Sequence, residues 1–156
     1  MSIERVREYM KQYGMQDKIL EFDVSSATVP LAALALGTEE ARIAKSLSFL
    51  VEEKAIIVVT AGTARIDNKK FKATFHKKAK MLSPEQVEEM IGHRIGGVCP
   101  FAINDGVDVY LDESLKAFET VFPACGSGNS AIELTIPELE KLSGENFRDW
   151  VDITSV

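Results

Sequence analysis

A chain of 156 residues with 46% hydrophobic residues can bury a core of its own, and no Pro-, Gly- or Ser-rich linker interrupts it, so residues 1–156 are expected to form a single domain. The formal net charge of −6 argues against a general nucleic-acid binder, which needs Lys and Arg in excess. The start Met1-Ser2-Ile3-Glu4-Arg5 holds no apolar run of leader or membrane-span length, and Cys99 and Cys125 lack the number and spacing of a disulfide or zinc framework. The expectation is a reduced, cytoplasmic protein with no metal and no membrane.

Ile3, Val6, Met10 and Tyr13 recur at helical spacing and Gly14 supplies a stop, which predicts a first helix over residues 3–13. A strand is expected over 19–23. Thr28 caps a second helix that carries Pro30 in its first turn and ends at Gly37, and Thr38 is placed to cap a third, running to Ile43. Residues 46–51 and 55–61, joined by Glu52-Glu53-Lys54, predict a hairpin at the centre of the sheet; Ile56-Ile57-Val58-Val59 is β-branched throughout, as in a strand buried on both faces. Asp67 caps a lysine-rich helix, and Ser83-Pro84-Glu85-Gln86 has the capping-box spacing, with Gly92 as its stop. Strands over 107–111, 120–122 and 132–136 precede a short helix over 138–142. Hairpins and helical crossovers together predict an α+β (mixed α/β) domain with a mixed, mainly antiparallel central sheet flanked by helices.

The chain has no Gly-x-Gly-x-x-Gly, no Walker loop, no Gly-x-Ser-x-Gly elbow and no His-Glu-x-x-His. What remains is a set of polar residues at junctions. Gly96-Gly97-Val98-Cys99-Pro100 offers main-chain N–H groups that can hold a carbonyl or phosphate oxygen, or else makes a tight helix-to-strand connection. Lys45, placed where a helix meets the first central strand, is either an anion clamp or a lysine snorkelling at the sheet end. Lys69, Lys70, Lys72, Lys77 and Lys78, interleaved with Phe71 and Phe75, form a strip that faces phosphate or is an ordinary solvated helix face. Asp112 reads as a cap. Cys125 in Cys125-Gly126-Ser127-Gly128 reads as a small apolar filler, because a nucleophile needs a base and only His76 and His93 exist.

Arg42-Ile43-Ala44-Lys45-Ser46-Leu47, the Ile56–Val59 strand, Gly62 through Asp67, Ile95–Phe101, Val109–Leu115 and the Cys125–Gly128 turn occur in the order seen in the YbaK/EbsC family, and the chain resembles it from about residue 3 to residue 142. The resemblance implies the fold of the editing domain inserted in bacterial prolyl-tRNA synthetases and the activity of its free-standing members, hydrolysis of tRNA carrying the wrong amino acid. It implies roles as well. Lys45 would contact the phosphate or terminal adenosine of the acceptor end. Gly96, Gly97, Val98 and Pro100 would form the loop whose N–H groups hold the aminoacyl carbonyl oxygen, and Cys125, Gly126, Ser127 and Gly128 a wall of the same pocket. Thr28, Val29 and Ser46 would select the amino-acid side chain.

By the same resemblance, the substrate is tRNA(Pro) carrying cysteine or another small amino acid, the lysine strip assists tRNA binding, and a synthetase, prolyl-tRNA synthetase or another, is a partner. No cofactor is implied. Alanine-specific relatives place Asn after the lysine and His in the late glycine turn, whereas this chain has Ser46 and no histidine there. Besides a trans-editing deacylase, the residues admit a non-catalytic acceptor-end or nucleotide-binding module and a thiol hydrolase using Cys99 or Cys125.

Overall fold

Two long strands, the second β-branched through Ile56–Val59 and both joined by a tight Glu52-Glu53 turn whose residues lie in the left-handed region, set the architecture of this protein. The structure, a computed structural model, describes residues 2–155; Met1 and Val156, the outermost residues of the expected domain, lie outside them. Helix α1 (Ser2–Lys11) turns Val6 and Met10, one helical turn apart, into the core. Strand β1 (Leu20–Glu21) leads to α2 (Val29–Leu36), where Thr28 Oγ1 accepts the N–H of Leu31 at 3.3 Å and Gly37 closes the helix with φ 69°. The central hairpin is β2 (Ile43–Val51) and β3 (Lys54–Ala61), and β4 (Arg65–Ile66) follows. Asp67 caps α3 (Asn68–Phe75) by accepting the N–H groups of Lys69 and Lys70, and the Ser83/Gln86 capping box starts α4 (Pro84–Gln86), which continues as a π-helical turn to Ile91.

Beyond Gly92 come β5 (Asp108–Asp112), β6 (Thr120–Pro123), β7 (Ser130–Ala131), β8 (Leu134–Thr135), α5 (Ile136–Leu142), β9 (Phe147–Val151) and β10 (Thr154–Ser155). The main sheet runs β8-β6-β2-β3-β5-β9, with the hairpin at its centre as expected. It is mixed, as the sequence implies, but less antiparallel than expected: β2–β3 and β6–β8 are antiparallel, while β2–β6, β3–β5 and β5–β9 are parallel. The long crossovers from β3 to β5 and from β5 to β9 return the chain to the same end of the sheet, whereas the tight β2–β3 turn and the 124–133 excursion through β7 reverse it.

Three further expectations are corrected. Thr38 does not cap a helix: residues 40–42 make one 3-10 turn, and Ile43 already belongs to β2, because the antiparallel ladder extends to Ala44 opposite Ala61. The strand over 132–136 shortens to β8, with β7 a separate strand just before it and Ile136 drawn into α5 by the Thr135/Glu138 capping box. β9 and β10 were not expected. β9 is an edge strand bearing exposed Arg148 and Asp149, so it lacks the apolar run that marks an interior strand.

Alternate residues of β3 serve two cores. Ile57 and Val59 join Val6, Met10, Ile91, Phe101 and Leu111 on one face, while Ile56 and Val58 join Phe49, Phe71 and Ile153 on the other. There α3 lays Phe71 against Phe49 with ring centroids 4.8 Å apart. Asp112 is structural, as expected: buried at the end of β5, it accepts from Ser114 N (3.0 Å), Ile153 N (2.9 Å) and Thr154 Oγ1 (2.7 Å) and so fastens the C-terminal segment.

Candidate functional site

The outer edge of β2 is covered in two separate stretches. β6 pairs with Ile43 and Ala44, and the segment at 80–82 bonds further along, with Leu50 N–H to Lys80 O at 2.8 Å and Leu82 N–H to Ser48 O at 3.2 Å. Lys45, Ser46 and Leu47 lie in the gap. Main-chain groups of alternate strand residues point to the same edge, so those of Ser46, like those of Ser48 and Leu50, turn away from β3 and toward the gap. A cleft of about 300 Å³ occupies this place, walled by α2 and its cap (Thr28, Val29), by the exit of β6 (Phe122, Ala124) and by Ile95, Gly96 and Val98 of the glycine loop.

Lys45 is the third residue of β2, not a helix–strand junction residue, and its half-buried side chain reaches past Thr60 to the turn after β3. Its Nζ donates to Ala64 O at 2.6 Å and Gly62 O at 3.2 Å, which leaves one of three N–H donors for a ligand. Burial, reinforced by the neighbouring Arg65 charge, lowers its pKa from the usual lysine value. Two hydroxyls in the cleft, Ser26 Oγ and Ser46 Oγ, are buried without a hydrogen-bond partner. Orphaned polar atoms of this kind cost free energy unless something fills the space. Sequence reasoning singled out Ser46 but missed Ser26, which reaches the cleft because its N–H donates to Gly128 O at 2.7 Å, a contact across 102 positions with no local signal.

Gly96 has φ 92°, and a Cβ there would lie 3.2 Å from the Cβ of Ala27. Its neighbour has another role: a Cβ on Gly97 would lie 2.7 Å from the main chain of both Gly126 and Ser127, so Gly97 is where the two glycine segments pack together. The N–H of Gly97 donates to Arg94 O at 3.0 Å, whereas those of Gly96 and Val98 take no hydrogen bond among the described residues. Of the expected site residues, Thr28, Val29, Lys45, Ser46, Gly96 and Val98 meet in one cleft. Pro100 and Cys125 are buried outside its lining, and Gly97, Gly126, Ser127 and Gly128 line a second cavity of about 650 Å³ on the far side of the loop.

The nucleophile-like residues lie elsewhere. Cys99, Cys125 and His93 are fully buried and none lines the cleft. Desolvation pushes the Cys99 thiol up to about 12 and raises Cys125 as well, so both are protonated at neutral pH. Burial also lowers the pKa of His93, whose Nε2 stands 2.8 Å from Phe101 O and 3.5 Å from Cys99 Sγ. The lysine strip divides too. Lys70 pairs with Asp152 at 3.1 Å, Lys69, Lys72 and Lys78 border a separate depression, and Lys77 follows the left-handed His76 that ends α3.

The profile of the aminoacyl-tRNA editing domain matches residues 24–142, which spans every wall of the cleft. The chain belongs to this family. The uncharacterized protein YwhH of Bacillus subtilis (strain 168) is 53% identical over 154 residues, 98% of this chain and 97% of YwhH. Proline–tRNA ligase of Bacillus cereus (strain AH820) is 24% identical over 95 residues, 60% of this chain but only 16% of the ligase. A solved structure described as a candidate trans-editing enzyme for prolyl-tRNA synthetase is 31% identical with a TM-score of 0.85, covering 99% of this chain and 98% of that one. The editing-domain membership and fold expected from the YbaK/EbsC resemblance are thereby borne out. No helix of the described editing domain is long and apolar enough to cross a membrane.

Proposed function

We propose that this editing domain is a free-standing, trans-acting deacylase that hydrolyses the ester of a mischarged tRNA, tRNA(Pro) bearing cysteine or another small amino acid. The observation that carries this reading is the convergence, in one cleft of about 300 Å³, of the free donors on Lys45, Gly96 and Val98 with the unpartnered hydroxyls of Ser26 and Ser46. Attack on an ester carbonyl moves negative charge onto its oxygen, and donors already fixed in place stabilise that charge without reorganising. Gly96 and Val98 N–H groups are the donors for this oxygen. Lys45, held on two carbonyls, offers its remaining N–H to the terminal nucleotide. Thr28, Val29 and Ser46 border the space for the amino-acid side chain.

The cleft lining contains no Asp, Glu, His or Cys to serve as a general base. An aminoacyl ester is already activated, so positioning of water, or of a nucleophilic group on the substrate itself, suffices. Water adds to the carbonyl carbon, the ester C–O bond breaks, and the products are the free amino acid and a tRNA with its terminal hydroxyl restored. The acceptor end is thus the partner, and a synthetase, prolyl-tRNA synthetase among them, supplies the mischarged substrate. The prolyl-tRNA synthetase named for the solved relative favours that choice.

Release of amino acid from tRNA(Pro) charged with cysteine, alanine or serine tests the reading. The wild-type chain is expected to accelerate release from at least one of these, and Lys45→Ala to lower that rate about 100-fold, the scale of losing one fixed electrostatic contact. Equal slow decay with both proteins, alongside retained tRNA binding, would instead make the chain a non-catalytic acceptor-end module.

A further inference from the structure

The second cavity shares its partition with the cleft. Ile95 borders both; Gly96 and Val98 face the cleft, while Gly97 faces the cavity together with Gly126, Ser127 and Gly128. At about 300 Å³ the cleft is at the small end of ligand pockets, so the polynucleotide joined to an ester bound there has to leave it. On the far side of the partition it would meet two guanidinium groups. Arg5 is held in place by Gly92 O (3.3 Å) and Asn104 Oδ1 (3.2 Å), while Arg94 is largely exposed, with its Nε 3.6 Å from Glu88 Oε1. Two arginines against one carboxylate leave the cavity cationic in a chain whose net charge is −6. The N–H groups of Ser127 and Gly128 take no hydrogen bond among the described residues.

Resting on the deacylase reading, we propose that this second cavity binds the phosphodiester next to the esterified nucleotide of the acceptor end. Arg94 swings from Glu88 to the phosphate, Arg5 supplies a fixed charge, and the Ser127–Gly128 main chain donates to a phosphate oxygen. A 3′ end seated in this way would straddle the glycine loop, with its phosphate anchored behind Gly97 and its ester carbonyl in front of Gly96. The depression bordered by Lys69, Lys72 and Lys78 shares no lining residue with the cleft, so it is the weaker candidate for the nucleotides nearest the ester.

Two measurements decide the matter. In the first, kcat/KM is compared for a mischarged tRNA and for adenosine esterified with the same amino acid. Arg94→Ala should lower the ratio of the two about five- to tenfold, chiefly through KM for the tRNA, and flatten its salt dependence by about one unit in the log–log slope. Glu88→Gln should shift the ratio the other way. A ratio unchanged in Arg94→Ala overturns the proposal while leaving the deacylase reading intact.

In the second, 5′-phosphorylated cytidyl-cytidyl-adenosine and adenosine alone are titrated into the protein and followed by amide NMR. Trinucleotide-specific shifts at Gly97, Ser127 and Gly128 support the site whether or not the protein turns over. Shifts confined to residues 68–79 refute it. A protein that binds the trinucleotide here yet cleaves no ester would refute the deacylase reading and keep the cavity.

Discussion

On the core side of the glycine loop, His93 and Cys99 lie 3.5 Å apart, fully buried, with a thiol raised to about 12 and an imidazole held toward its neutral form. On the solvent side, the cleft has a lysine tied to two carbonyls, two unpaired hydroxyls and two free main-chain N–H groups. The residues with familiar catalytic identities are sealed in the region that holds the fold together. Residues without such identities surround the space a substrate can enter. Nucleophile and base types therefore mislead in this chain, because access to the cleft separates the two regions more sharply than side-chain chemistry does.

The largest effect that can break this comparison comes from the loop between the regions. In Gly97→Ala, the new Cβ would approach the Gly126–Ser127 main chain to 2.7 Å, and this is not a flexible side-chain end that can move aside. A loss of about 1–3 kcal/mol in stability is expected, together with loss of deacylation, since the shift carries Gly96 and Val98 with it. Gly106→Ala is the control. Its φ of 85° is left-handed, unlike that of Gly97, but nothing lies within 4 Å of the added carbon, so it should cost about 1 kcal/mol of backbone strain and leave activity in place. Urea unfolding paired with the deacylation assay separates the two, and equal behaviour of both variants would show that packing against the Gly126 turn does not hold the loop.

A smaller effect is expected in the alkaline limb of activity. The pKa of Lys45 is lowered from 10.5, so as pH rises it loses its charge before an exposed lysine would. Activity above the spontaneous ester decay should fall on an alkaline limb with its midpoint below 10.5, and this limb should vanish in Lys45→Ala. Stability moves in the opposite sense. Between the folded and unfolded pKa values the unfolded chain binds more protons, so rising pH through that interval stabilises the fold while weakening the site. Parallel loss of both would place Lys45 in a structural role only.

Much of the frame was legible because its signals are local. The Thr28 and Asp67 caps, the Ser83 capping box and the central hairpin each depend on residues within a few positions of one another, and each stands where expected. What escaped was non-local. β9 pairs in parallel with β5 across three intervening strands and a helix, and Ser26 is carried into the cleft by a bond to Gly128. The candidate cleft was half legible for the same reason: Lys45, Ser46 and Gly96 were singled out and do line it, but nothing in the order of Gly96 and Gly97 reveals that adjacent glycines line different cavities.

The smallest expected effect bears on the sealed region. Replacing Cys99 by Ala removes a sulfur that is protonated at neutral pH and out of reach of the cleft, so kcat/KM for a mischarged tRNA should change by less than about twofold. What remains on the core side is the pH dependence of stability contributed by His93, a group whose folded pKa lies below 6.5. Well above 6.5 it is neutral in both states and contributes no slope. As pH falls from 6.5 toward the folded value, the unfolded chain takes up a proton that the native chain resists, and stability declines until both are protonated. His93→Gln should flatten that segment of the stability curve while leaving the alkaline limb of activity unchanged. A variant that altered the limb and not the slope would mean that the imidazole reaches the chemistry after all, and the division between the two sides of the loop would fail.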